Sequence, residues 1–98
     1  MNDTPIPLTP AQREDIRIVT LGYLAARNTA AFDADQITQI LKRRRAVDFP
    51  FVPADVESAL TFLDGQGWTA LQVSPFGVSR PRMATTQGVL EAERRGLC

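Results

Sequence analysis

The sequence has no histidine, a single cysteine and no excess of either charge. Without histidine there is no imidazole for acid–base catalysis and no ordinary catalytic zinc site. Cys98 is the only cysteine, so no internal disulfide is possible; at the last position it reads as a thiol on a frayed terminus, and the chain as cytoplasmic. Eleven basic and eleven acidic residues cancel, whereas nucleic-acid-binding domains ordinarily carry a basic excess that neutralises phosphates. Any positive patch must therefore be local. No apolar run approaches the ~18 residues of a membrane span, and the start lacks a basic-then-apolar signal. Asp33, Asp35 and Asp48 do not have calcium-loop spacing. Gly65-x-Gly67 lacks the strand-before, helix-after setting of a nucleotide loop. No enzyme activity, metal or cofactor is expected.

What is present suits one small domain. At 98 residues there is room for a single core, and 44% hydrophobic with 22% charged residues excludes wholesale disorder. Residues 1–8, with Pro5 and Pro7 around Ile6, read as an extended N-terminal arm, and residues 9–98 as the folded domain.

The first helix starts at a Thr9-x-x-Gln12 capping box with Pro10 at its first position. Ile16, Val19, Tyr23 and Ala26 form one face; Ile18, Leu21 and Ala25 form a second, nearly opposite one. Three short helices can hardly cover both, which predicts a homodimer through Ile18, Leu21, Gly22 and Ala25, Gly22 letting a second backbone come close. The second helix is capped by Asp33 and Gln36, with Phe32 stapled onto Ile37 and a core stripe of Ile37, Ile40 and Leu41. It ends in Lys42, Arg43, Arg44 and Arg45, which complement the helix dipole. Pro53 opens a third helix with a core face of Val56, Ala59, Leu60 and Leu63. A hairpin follows, from Trp68 to Ser74 and back from Val78 to Met83, turning at Pro75-Phe76-Gly77; Arg80 and Arg82 share one face of the return strand. Thr85 or Thr86 caps a final helix. The predicted fold is mainly α with a small β-hairpin.

That order of elements resembles the winged helix: a three-helix core, a two-stranded wing and a C-terminal helix. The resemblance lies in Asp55-Val56-x-x-Ala59-Leu60-x-x-Leu63-x-x-x-Gly67-Trp68 and in Ala84-Thr85-Thr86-Gln87-Gly88-Val89-Leu90. Asp15-Ile16-Arg17-Ile18, together with Ala84-Thr85-Thr86-x-Gly88 followed by Glu93-Arg94-Arg95-Gly96, is similar to small winged-helix proteins of Mu-like bacteriophages. The Pro-rich start and the long Arg45–Pro53 connection depart from that narrower pattern. A resemblance in fold does not itself confer a function.

Two functional readings follow. In the first, the chain is a DNA-binding or transcription-accessory module, of phage or prophage origin, that binds weakly to moderately through phosphates. The contacts would come from Arg80 and Arg82 on the wing and from Lys42, Arg43, Arg44 and Arg45. Base readout from the third helix is disfavoured, because its outer face offers Asp55, Glu57 and Asp64 where bases need donors. In the second, the chain is a dimeric protein-interaction module with no nucleic-acid role, using Glu57, Thr61 and Phe62. Tyr23 and Trp68 read as core aromatics at element boundaries.

Overall fold

The structure, a computed structural model, describes residues 7–72 and 80–97. Residues 1–6 of the expected arm, the predicted turn at residues 75–77 with its flanks at 73–74 and 78–79, and Cys98 lie outside the described residues.

Each helix begins where its capping chemistry dictates. In α1 (Pro10–Ala26) the Thr9 hydroxyl accepts from the Gln12 amide at 3.1 Å, and the Gln12 side chain accepts from the Thr9 amide at 3.0 Å. In α2 (Ala34–Arg44) Asp33 and Gln36 repeat the exchange at 2.8 and 2.9 Å. Two otherwise orphaned backbone donors are satisfied at each start. α2 ends at Arg45, a left-handed residue with φ of 51°, which lets the Ala46 amide reach back to the Leu41 carbonyl. In α3 (Pro53–Gly65) Val52 can offer no side-chain cap; the Asp55 carboxylate instead accepts from the Val52 amide at 2.9 Å. β1 (Thr69–Leu71) and β2 (Arg82–Ala84) pair antiparallel, with Ala70 opposite Met83. α4 (Thr86–Arg94) is capped by Thr85, whose hydroxyl accepts from the Gly88 amide and donates to the Gly67 carbonyl. Three helices, a two-stranded wing and a closing helix make a winged helix.

Ile16 and Leu24 of α1, Ile37 and Leu41 of α2, Val56, Ala59 and Leu60 of α3, Phe51 and Ala84 form the main core. The predicted stripe of α3 is buried throughout. The reading of α1 needs correction. Its buried side chains are Ile16, Thr20, Leu21, Leu24 and Ala25, one continuous arc that runs from Ile16 of the first predicted face through Thr20 and Leu24 to Leu21 and Ala25 of the second, while Ala26 is exposed. Leu24, assigned to neither face, is fully buried.

The cause is α4, which packs on α1 as well as on the wing. Leu21 and Ala25 sit in a second cluster with Leu63 and Ala92, flanked by Trp68, Val89 and Leu97. A β-carbon on Gly22 would come within 3.3 Å of Leu97, so the close approach that Gly22 permits is made by this chain's own C-terminal segment. Leu21 and Ala25 are therefore covered from within, and of the expected dimer stripe Ile18 and Gly22 remain half-exposed. Leu8, at the end of the arm, also packs against the main core.

An element absent from the sequence reading joins the wing. Phe32, just before α2, bridges Arg82 of β2: the Phe32 amide donates to the Arg82 carbonyl at 2.9 Å, and the Arg82 amide donates back at 2.8 Å. β2 thus has backbone partners on both sides, and the loop leading into α2 is tied to the base of the wing.

Candidate nucleic-acid interface

In a winged helix, the third helix and the wing are the parts that reach nucleic acid, so their side chains define the candidate site. The wing does not present two arginines. Arg82 is fully buried against α3. Its guanidinium makes a two-pronged contact with Glu57 at 2.7 and 2.8 Å, donates to Asp64 at 3.1 Å and reaches the Arg80 carbonyl at 2.9 Å. The hydrogen-bonded Glu57 carboxylate raises the Arg82 pKa; burial opposes this, and Asp64 adds to the rise. A planar fork on a carboxylate is the geometry in which a buried arginine is best satisfied. Arg82 is thus a structural cation and cannot also meet a phosphate. Period-two alternation contained the signal: Arg82 shares its strand face with Ala84, which is in the core.

The same contacts change the meaning of the acidic third helix. Glu57 is held by Arg82, with Arg80 at 3.7 Å. Asp64 accepts from Arg82 and from the Thr69 hydroxyl, the latter at 2.6 Å. Asp55 caps its own helix. All three carboxylates have internal partners. The exposed ridge of α3 is then Ala54, Ser58, Thr61 and Gly65, spaced to share one side of a helix and bearing no charge. Small side chains allow close approach to a surface, and Ser and Thr hydroxyls can both donate and accept.

Cations flank this ridge on both sides. On the wing side, Arg80, with a side chain 63% exposed, lines a surface hollow with Pro53, Ala54 and Glu57; Asp33 and Asp35 from the start of α2 also line it. On the α1 side, Arg13 and Arg17 line a second hollow with Asp55 and Ser58. Arg13 is exposed and steadied by a 2.8 Å hydrogen bond to the Leu8 carbonyl. Arg17 lies over the Phe62 ring at 3.8 Å and pairs loosely with Glu14 at 3.6 Å. Arg13 and Arg17 were not among the residues that the sequence reading assigned to DNA.

The remaining candidates are dispersed. Lys42, Arg43, Arg44 and Arg45 are exposed at the C-terminal end of α2, whereas Arg80 meets that helix at its N-terminal end. Within the cluster, Lys42 lies over Phe51 and Arg44 over Tyr23, on different sides of the helix. Glu57, Thr61 and Phe62 do not form one patch either. Glu57 turns to the wing and Phe62 to Arg17 of α1; the Thr61 hydroxyl donates to the Glu57 carbonyl. Tyr23 and Trp68 are both half-buried against the core clusters. No group of three potential metal ligands occurs among the described residues, and none of their helices is long and apolar enough to cross a membrane.

No protein-family model matches the sequence, and neither does any curated protein. Among solved structures, the fold is similar to that of a point mutant of MepR from a multidrug-resistant S. aureus clinical isolate, with a TM-score of 0.58 and 20% identity. MepR is a winged-helix regulator. The likeness covers 89% of this chain and 54% of that one, so this chain matches about half of the longer protein.

Proposed function

We propose that the chain is a winged-helix DNA-binding module that acts in transcription, and that it holds a duplex through phosphates on both sides of α3. Arg80 supplies the contact on the wing side, and Arg13 with Arg17 the contact on the α1 side. The observation that carries this reading is the internal engagement of Asp55, Glu57 and Asp64, which turns these carboxylates to partners within the domain, offsets part of the repulsion an acidic third helix would exert and leaves an uncharged ridge between two sets of cations. Phosphate contacts set position and orientation, while the ridge offers Ser58 and Thr61 hydroxyls and the Ala54 methyl, which suit modest selectivity at most. The likeness to a winged-helix regulator supports the same reading. An origin in a phage or prophage fits the sequence resemblance.

The test is a salt titration of duplex binding. Each phosphate neutralised contributes roughly 0.9 to the slope of log affinity against log salt. Arg13→Ala with Arg80→Ala is expected to reduce that slope by about two, weakening all sequences alike. Arg43→Ala with Arg45→Ala, off this surface, should leave it unchanged. Absence of binding at low salt, where electrostatic association is strongest, removes the proposal.

A further inference from the structure

Away from the α3 ridge, the ends of α1 and α2 enclose a groove of about 360 Å3. Its walls include Ile18, Ala26, Leu41 and Leu97 around Tyr23, and its charged residues are Arg27 and Arg44, with no carboxylate. Both guanidiniums lie on the Tyr23 ring, Arg27 at 4.3 Å and Arg44 at 5.0 Å from its centre. Stacking on an aromatic ring holds a guanidinium in place while leaving its N–H edge free to donate. Neither is ion-paired among the described residues, in contrast to Arg17, Arg80, Arg82, Arg94 and Arg95. Lys42, Arg43 and Arg45 extend the positive charge beyond the groove, with the exposed Asp48 the next acid along the chain.

We propose that this groove is a docking surface for an acidic peptide segment of a partner protein, which places an apolar side chain against Tyr23 and Leu41 and its carboxylates on Arg27 and Arg44. Charge complementarity selects an acidic occupant, because two pre-positioned guanidiniums with no internal acid match carboxylates in two-pronged geometry. The apolar floor selects a peptide over a nucleic-acid backbone, since a phosphate chain has nothing to bury against leucine and tyrosine side chains. Binding of this kind combines an apolar anchor with a small number of placed polar groups. The proposal does not rest on DNA binding, which would use the arginines of a different face, Arg13, Arg17 and Arg80.

The experiment measures fluorescence anisotropy of a short labelled peptide alternating glutamate and leucine, titrated with the full chain. A peptide of equal charge with serine replacing leucine serves as the control. Arg27→Gln with Arg44→Gln is expected to weaken binding of the first peptide on the order of ten-fold, as fits the loss of two partly exposed ion pairs. Arg13→Gln with Arg80→Gln should leave it unchanged. Perturbation of the Tyr23 ring resonances should accompany binding. Circular dichroism checks that each variant is folded; Arg44→Gln alone, at an exposed position, provides a second reading if the pair is not. Three results would overturn the proposal: no binding of the glutamate–leucine peptide, equal binding of the serine control, or wild-type self-association that the Arg27/Arg44 variant abolishes. The last would put a second copy of this chain in the groove.

Discussion

A β-carbon on Gly88 would stand 2.0 Å from the carbonyl oxygen of Trp68. That carbonyl already accepts from the Thr85 amide at 3.0 Å, so the first turn of α4 is pressed against the backbone that leads into β1. Only glycine fits there, and this is the physical content of the Thr85-x-x-Gly88 pattern in the sequence. Gly88→Ala is expected to destabilise the domain by about 1–3 kcal/mol or more, because backbone rather than a mobile side chain must yield. Gly65→Ala, with no atom within 4 Å of the new β-carbon, should instead be neutral or stabilising by up to roughly 1 kcal/mol. Urea midpoints of the two variants compared with wild type decide the matter.

Removing Arg82 should be more damaging than removing any exposed arginine. Breaking a buried ion pair from one side typically costs about 3–5 kcal/mol; because Glu57 and Asp64 are 36% and 30% exposed, water would relieve part of this, giving about 2–3 kcal/mol. Arg82→Met should be partly rescued by adding Glu57→Gln and Asp64→Asn, which remove the orphaned charges. Equal stability of the single and triple variants in chemical denaturation would show that the ion cluster is not what Arg82 supplies.

Thr20 is fully buried in α1, and its hydroxyl has no hydrogen-bond partner among the described residues. A buried hydroxyl without a partner carries a desolvation cost of about 1–3 kcal/mol. Thr20→Val keeps the shape and removes that group, so its melting temperature should rise. A fall would mean that the hydroxyl is satisfied in solution, by water for instance.

Glu91 is flanked by Arg94 and Arg95 at the end of α4. Their hydrogen bonds, Arg94 first, hold its carboxyl below the usual carboxylate range. A depressed acid stabilises the folded state above its unfolded-state pKa, and loses that contribution as pH falls through the folded-state value. Glu91→Gln should therefore lower stability at neutral pH and make no difference in strong acid. Denaturation curves of both proteins across this acid range should converge as pH falls.

Local chemistry was largely legible in the sequence. The Thr9–Gln12 and Asp33–Gln36 boxes start the helices where they were expected, and Val56, Ala59, Leu60 and Leu63 face the core. These features depend on neighbours within one or two turns. Arg82 misled because charge at a hairpin suggests exposure, and its partners lie 18 and 25 residues away on another helix. The two faces of α1 misled for the same reason. Apolarity showed that both sides would be covered, but not that α4 and Leu97 would cover one of them. Phe32 gave no sign of its bridge, since a single pair of backbone bonds leaves no periodicity.

The Phe32–Arg82 bridge joins residues 50 positions apart and sets an order of events during synthesis. A growing chain that has made α1, α2 and α3 holds Glu57 and Asp64 without their cation, Phe32 without its strand neighbour, and Leu21 and Ala25 without α4. None of these deficits can be met locally, and all are met by the segment from Arg82 to Leu97. The segment from Arg82 to Leu97 is therefore the part that closes the domain, and a chain stopped before β2 would be left with uncovered apolar surface and unpaired charge.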